Sequence, residues 1–248
     1  MRSVTSRRGF IAGTLVLSTQ ALRAQALPSR LLVTPVDSAP SSVAPGLRPL
    51  QLRSERDALL YIPESSKRYP KAPLVVSLHG ATRNADRGID LLKSLSDEHG
   101  FLLLAPASED RTWDAIDGSY GPDVAFINRS LAKTVALRRI DPARIAMAGF
   151  SDGASYSLSI GLANGDVFAA VFGFSPGFIV RGPRTGKPPV FISHGTQDPV
   201  LPIELCSRMI VPELKQQGYR VTYREFEGKH TLPPEVAAEA IRWFMDPA

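Results

Sequence analysis

Short, continuous apolar runs recur along this chain, separated by longer stretches in which apolar residues return every three or four positions. The runs Leu74–Leu78, Phe101–Ala105, Ile145–Ala148, Ala170–Phe174 and Val190–Ser193, with Arg220–Phe226 after them, predict strands. Residues 86–99, 124–138, 152–163 and 202–217 predict helices between them. A last helix begins at Pro233 and Pro234 and carries Val236, Ala240, Ile241 and Phe244 on one face. Apolar runs that do not alternate with polar residues belong to strands buried on both sides, so the pattern predicts a mostly parallel sheet with helices on both faces, a doubly wound α/β domain. Ahead of it, Leu52 and the run Ala58–Ile62 predict two antiparallel arms at the edge of the sheet. Only fifteen Gly- and Pro-rich residues separate Phe174 from Val190, too few for a cap domain.

The N-terminal part follows a different pattern. Residues 1–26 have a basic start, an apolar run from Phe10 to Leu17 and a small-x-small site at Ala24-Gln25-Ala26, the layout of an export signal. The apolar run is shorter than the roughly 20 residues a bilayer-spanning helix needs, so no stable membrane insertion is expected after cleavage. Residues 27–49 contain Pro28, Pro35, Pro40, Pro45 and Pro49 among serines and read as an extended tether with one edge strand at Leu31–Val36. The folded domain is then expected over residues 50–248.

Composition changes this picture in one respect. The 248 residues are 44% hydrophobic and 21% charged, within the range of a single globular domain, and carry a formal charge of +5. Arg2, Arg7, Arg8 and Arg23 lie in the signal, which has no acid, so the remainder holds 25 basic against 24 acidic groups. A nearly neutral mature chain argues against a nucleic-acid partner. Cys206 is the only cysteine, which excludes an intramolecular disulfide, and no Cys/His metal framework is present; Cys206 is expected to be a small buried hydrophobe.

The chemistry centres on Gly149-Phe150-Ser151-Asp152-Gly153, where an apolar run meets Gly-x-Ser-x-Gly and continues into helix-compatible residues. This is the pattern of a nucleophile elbow, in which a sharp strand-to-helix turn holds the serine in a strained conformation and the glycines leave room for close neighbours. A serine hydroxyl needs an imidazole to accept its proton and a carboxylate to orient that imidazole. Of the four histidines, His230 lies between the last strand and the last helix, and Asp198 follows the strand ending near Ser193, so the two supply the chain order Ser, acid, His described for α/β-hydrolases. His79, His99 and His194 are read as structural. The backbone N–H of Asp152 and that of Ala81, after His79-Gly80, are the expected oxyanion donors. Trp113, on a long loop after Phe101–Ala105, and Phe178, in the turn after Phe174, are the candidate substrate contacts; Asp123 is read as a helix N-cap. No metal or cofactor is implied.

Four segments, Leu78-His79-Gly80, Gly149–Gly153, His194-Gly195-Thr196-Gln197-Asp198-Pro199 and Gly228-Lys229-His230, resemble the phospholipase/carboxylesterase group of serine α/β-hydrolases. Thr112-Trp113-Asp114, Asp123–Ile127 and Arg139–Ile145 are similar to its polyhydroxybutyrate-depolymerase-like and feruloyl-esterase-like branch, although Ala81 stands where that branch often has cysteine after His-Gly. The resemblance implies the α/β-hydrolase fold and a serine esterase acting on a small-molecule or polymeric ester. Ser6-Arg7-Arg8-Gly9-Phe10-Ile11 resembles a twin-arginine signal and implies bacterial export to the periplasm or beyond. A serine peptidase, or a catalytically silent binding protein on the same fold, remains the alternative.

Overall fold

The computed structural model describes residues 29–32 and 43–246. Its first two strands, β1 (Gly46–Pro49) and β2 (Leu59–Ile62), are antiparallel and form one side of the sheet. The chain then runs through β3 (Ala72–Leu78), α1 (Ala85–His99), β4 (Leu102–Ala105), a single turn α2 (Asp114–Asp117), α3 (Pro122–Leu137) and β5 (Ile140–Phe150). It continues through α4 (Asp152–Ala163), β6 (Ala170–Phe174), β7 (Val190–Gly195), α5 (Ser207–Gln216), β8 (Val221–Phe226) and α6 (Pro234–Met245). The strand order is β1-β2-β4-β3-β5-β6-β7-β8, with β1, β2 and β4 joined antiparallel and every pairing from β4 through β8 parallel.

All seven residues of β3 are buried, as expected of a central strand covered on both sides. Because successive side chains point to opposite faces, Leu74, Val76 and Leu78 join a core with α3, α4 and α5, while Val75 joins a second core with α1 and α6. From β3 the chain goes to β4 on one side and then returns to β5 on the other. That reversal opens a crevice at the carboxyl ends of β3 and β5, the place where open α/β sheets bind their ligands.

The boundaries differ from expectation in the N-terminal half. Gly46–Pro49 pairs with Leu59–Ile62, so the sheet begins inside the segment read as a tether and the first antiparallel arm is not at Leu52. Residues 29–32 are also docked: Leu31 is buried, its N–H donates to Asn164 Oδ1 at 2.8 Å, and Arg30 makes a bidentate pair with Asp166. Proline-rich composition favours extended chain, and extended chain can lie along a surface when buried side-chain amides satisfy its backbone. Leu31 and Leu32 are not in a strand, and the rest of the expected strand, like residues 1–26, lies outside the described residues. Helix α5 starts at Ser207, after turns through Pro202–Cys206, and Cys206 is buried there. Among the described residues no helix is long and apolar enough to cross a membrane.

Candidate active site

Ser151 sits between β5 and α4 with φ +58° and ψ −124°, a conformation that L-residues adopt only when the surroundings enforce it. The surroundings do so through close approach. A Cβ on Gly149 would lie 2.1 Å from Gly153 O, and one on Gly153 would lie 2.3 Å from Leu78 O. Both are collisions with rigid backbone, so only glycine allows the end of β5, the first turn of α4 and the end of β3 to meet at this distance. The Ser151 N–H donates to Phe174 O at 3.0 Å and ties the turn to β6.

His230 comes to Ser151 through a second close approach. A Cβ on Gly195 would lie 2.4 Å from Lys229 O, and Gln197 N–H donates to Gly228 O at 2.9 Å, so the loop after β8 is seated on the end of β7. His230 Nε2 is then 2.9 Å from Ser151 Oγ, and its Nδ1 is 2.6 Å from Asp198 Oδ2. A carboxylate can only accept, so Nδ1 carries the proton and Nε2 turns its lone pair to the serine hydroxyl. Asp198 Oδ1 accepts the N–H groups of Val200 and Leu201, both at 2.9 Å. Burial acts upward on the Asp198 carboxyl, but the Leu201 N–H, His230 and the Val200 N–H outweigh it and hold the group below the usual carboxylate range.

The third part of the site is the loop after β3. His79 is buried, its Nδ1 lies 2.8 Å from Gly80 O, and its Nε2 accepts the Ser108 N–H at 3.0 Å. The imidazole therefore donates to the Gly80 carbonyl. Across a trans peptide the Ala81 N–H points the opposite way, and Ala81 lines the same cavity as Ser151. Neither Ala81 N–H nor Asp152 N–H has a hydrogen-bond partner among the described residues, whereas the Asp152 carboxylate is held by Thr112 Oγ1 at 2.6 Å. Burial pushes His79 down to about 4, so it is neutral at ordinary pH.

A model of the family described as esterase PHB depolymerase matches residues 57–186, which include the elbow and the His79-Gly80-Ala81 loop. The chain belongs to that family. The match stops before Asp198 and His230, so in this esterase-family chain the geometry alone brings those two residues to Ser151. Acyl-protein thioesterase 1 of Emericella nidulans is 30% identical over 128 residues, 47% of this chain and 53% of that protein. Its counterpart in Gibberella zeae is 31% identical over 106 residues, 39% and 45% of the two chains, so this chain spans about half the length of the curated relatives it matches. Among solved structures, esterase PE8 superposes with a TM-score of 0.62 at 25% identity over 75% of this chain and 97% of its own. A phospholipase/carboxylesterase from Dyadobacter fermentans superposes at 0.59, with 23% identity over 76% and 96%, and shares the fold. The architecture is that of the α/β-hydrolases.

Two expected substrate contacts of this family member are elsewhere. Trp113 is fully buried, donates from Nε1 to His79 O at 2.9 Å and stacks on Tyr156 at 5.0 Å, so it supports the loop from behind instead of facing a substrate. Phe178 is 44% exposed but is not part of the cavity beside Ser151; Ser155 Oγ on α4 holds its turn through the Gly177 N–H at 2.9 Å. Asp123 is not an N-cap. It follows Pro122 inside α3, is buried, and accepts the N–H groups of Glu109 and Asp114 at 2.6 and 2.8 Å, which anchors the long loop after β4. The residue the sequence reading missed is His194. Its Nε2 lies 2.8 Å from Leu201 O and 3.2 Å from Asp198 Oδ2, and its Nδ1 lies 2.6 Å from Ser207 Oγ. Burial keeps it neutral, so the carbonyl fixes the proton on Nε2, beside the carboxylate. The signal was its place four residues before Asp198 at the end of a buried strand.

Proposed function

We propose that this protein is a serine hydrolase that cleaves carboxylic esters through an acyl-enzyme. The observation that carries the reading is the unbroken line from Ser151 Oγ through His230 to Asp198, at 2.9 and 2.6 Å, beside two unpartnered backbone N–H groups. Ser151 Oγ attacks the ester carbonyl carbon as its proton passes to His230 Nε2, and the carbonyl oxygen becomes an oxyanion facing the N–H groups of Ala81 and Asp152. When the tetrahedral intermediate collapses, the carbon–oxygen bond to the alcohol breaks and His230 returns the proton to the leaving oxygen. Water, deprotonated by the same imidazole, then attacks the acyl-serine and releases the acid. Asp198 stays ionised throughout, holding the imidazole in the tautomer the first step needs and stabilising the imidazolium.

Membership of the esterase family supports an oxygen ester, and the names of the fungal relatives extend the panel of substrates to thioesters. Wild type and Ser151→Ala are compared on short and long acyl esters, aryl esters, an acyl thioester, polyhydroxybutyrate and a peptide amide. The expected outcome is ester turnover that falls by about 10⁴ to 10⁶ in the variant. Retained turnover in Ser151→Ala would overturn the mechanism, and turnover of the amide alone would make the protein a peptidase. Export through the Arg7-Arg8 signal to the periplasm belongs to the same proposal; it is supported by the motif in residues 6–11 and tested by fractionating cells that make the full chain.

A further inference from the structure

The cavity that holds Ser151 and His230 does not end at the catalytic edge. It measures about 1170 Å³ and follows the face of the sheet between α1 and α6. Both helices leave the carboxyl edge, α1 after β3 and α6 after β8, and run down the same face, where their apolar sides share one core. On α6 the lining passes from Pro234 through Ala237 and Ala238 to Arg242, which at 1.5 Å per residue is a drop of about 12 Å from the edge. On α1 the matching positions are Leu91 and Leu95, and Phe150 and Leu232 complete an apolar floor.

The charged groups along this cleft are unevenly matched. Near the mouth, Arg87 is paired with Asp90 at 3.1 Å, and Arg83 and Glu235 bring one charge of each sign. At the far end stands Arg242, whose guanidinium has no ion pair or hydrogen bond with any described residue. The nearest acid on its own helix, Glu239, is engaged by Arg224 at 3.4 Å. An apolar floor that leads from a nucleophile to an unmatched guanidinium is complementary to an apolar chain ending in an anion, and planar carboxylate is the group that a guanidinium binds in bidentate fashion.

We propose that the cleft between α1 and α6 receives one limb of the ester substrate, apolar along its length and ending in a carboxylate at Arg242. The natural substrate class is therefore an ester of a medium-chain dicarboxylic acid or of a medium-chain hydroxy acid. This rests on the esterase reading above, because the limb is positioned by a carbonyl held at Ser151.

The test compares two matched pairs of probes. In the acyl pair, mono-p-nitrophenyl suberate is set against p-nitrophenyl octanoate; in the alcohol pair, 8-acetoxyoctanoate is set against octyl acetate, all below their aggregation concentrations. The expected result is a kcat/KM ratio of about three- to fivefold in favour of the carboxylate-ended member of one pair, carried mainly by KM, as an exposed guanidinium–carboxylate contact warrants. In Arg242→Gln the ratio falls to about one, in Arg242→Lys part of it returns, and in wild type it shrinks with added salt as the contact is screened. A wild-type ratio below about twofold in both pairs, or a ratio that survives Arg242→Gln, would overturn the inference. Loss of the esterase reading is separable: it appears as p-nitrophenyl acetate turnover that is indifferent to Ser151→Ala, whereas Ser151-dependent turnover with a ratio of one removes only the role of the cleft.

Discussion

Replacing His194 by phenylalanine keeps a ring of similar shape in the core and removes both nitrogens. Three contacts disappear: the donor to Leu201 O at 2.8 Å, the second donor beside Asp198 Oδ2 at 3.2 Å, and the acceptor for Ser207 Oγ at 2.6 Å. The Ser207 hydroxyl is left buried and the half-buried Leu201 O loses its donor, at up to about 1–3 kcal/mol each, so a loss near 3 kcal/mol is expected. For a domain of this size that corresponds to a fall in Tm of about 6–12 °C. Asp198 keeps the Val200 and Leu201 N–H groups and His230, so it remains in place with three donors instead of four. Turnover should therefore fall by only about tenfold, far less than the loss of a triad member.

The diagnostic is the pH dependence. With one donor fewer, more negative charge stays on Oδ2 where it faces His230, the imidazolium is favoured, and the acid limb of the kcat/KM profile moves to higher pH. Thermal unfolding is followed by circular dichroism, and kcat/KM on p-nitrophenyl acetate is measured from pH 5 to 9 at a temperature where both proteins are folded. If Tm falls as expected but kcat/KM stays within twofold and the acid limb does not move, His194 is only a well-packed core residue and the reasoning is refuted.

Two further outcomes follow from buried polar groups away from Ser151. His79, pushed down to about 4, binds fewer protons folded than unfolded between about pH 4 and 6.5, so it makes stability rise with pH in that window, as does the depressed His194. Burial pushes Asp123 up to about 6, so it binds more protons folded than unfolded above its unfolded value and opposes that rise until pH 6. Asp123→Asn should then have a lower Tm overall but a steeper increase of Tm between pH 4.5 and 6 than wild type; a parallel or shallower increase would refute the assignment. Asn164 is buried and holds residues 29–32 by accepting from Leu31 N and donating to Ser29 O, both at 2.8 Å. Asn164→Ala should lose about 2–4 kcal/mol and expose the N-terminal segment to limited proteolysis. Ester turnover should stay within twofold, because Asn164 caps the far end of α4 about 20 Å from Ser151; unchanged proteolysis would show that the segment is held by other contacts.

The order of strands and helices from Leu74 onward was legible because buried parallel strands are written as continuous apolar runs and the helices between them keep a 3.6-residue period. The elbow at Ser151 was legible for a related reason: close backbone approach excludes every residue but glycine at Gly149 and Gly153, so the constraint appears directly as a pattern. The chain order Ser151, Asp198, His230 pointed to three residues that the fold links in one line, Ser151 and Asp198 each within hydrogen-bond distance of His230. Local sequence has no comparable mark for Trp113 and Phe178. A large aromatic reads alike whether it backs a loop or faces a ligand, and only packing against His79 and Tyr156 placed Trp113 behind the site.

Period and steric allowance within a few positions made the α/β class and the sharp turn at Ser151 readable in the chain, and side-chain chemistry nominated the candidates to act there. Tertiary structure alone decided what lies around them. Docking of residues 29–32 on Asn164, the contact of His79 with the Ser108 N–H, and the cleft between α1 and α6 that leads to Arg242 all join residues far apart in the chain. Such contacts depend on where whole elements pack, and the energy that places them is spread over two apolar cores, not written in any short segment.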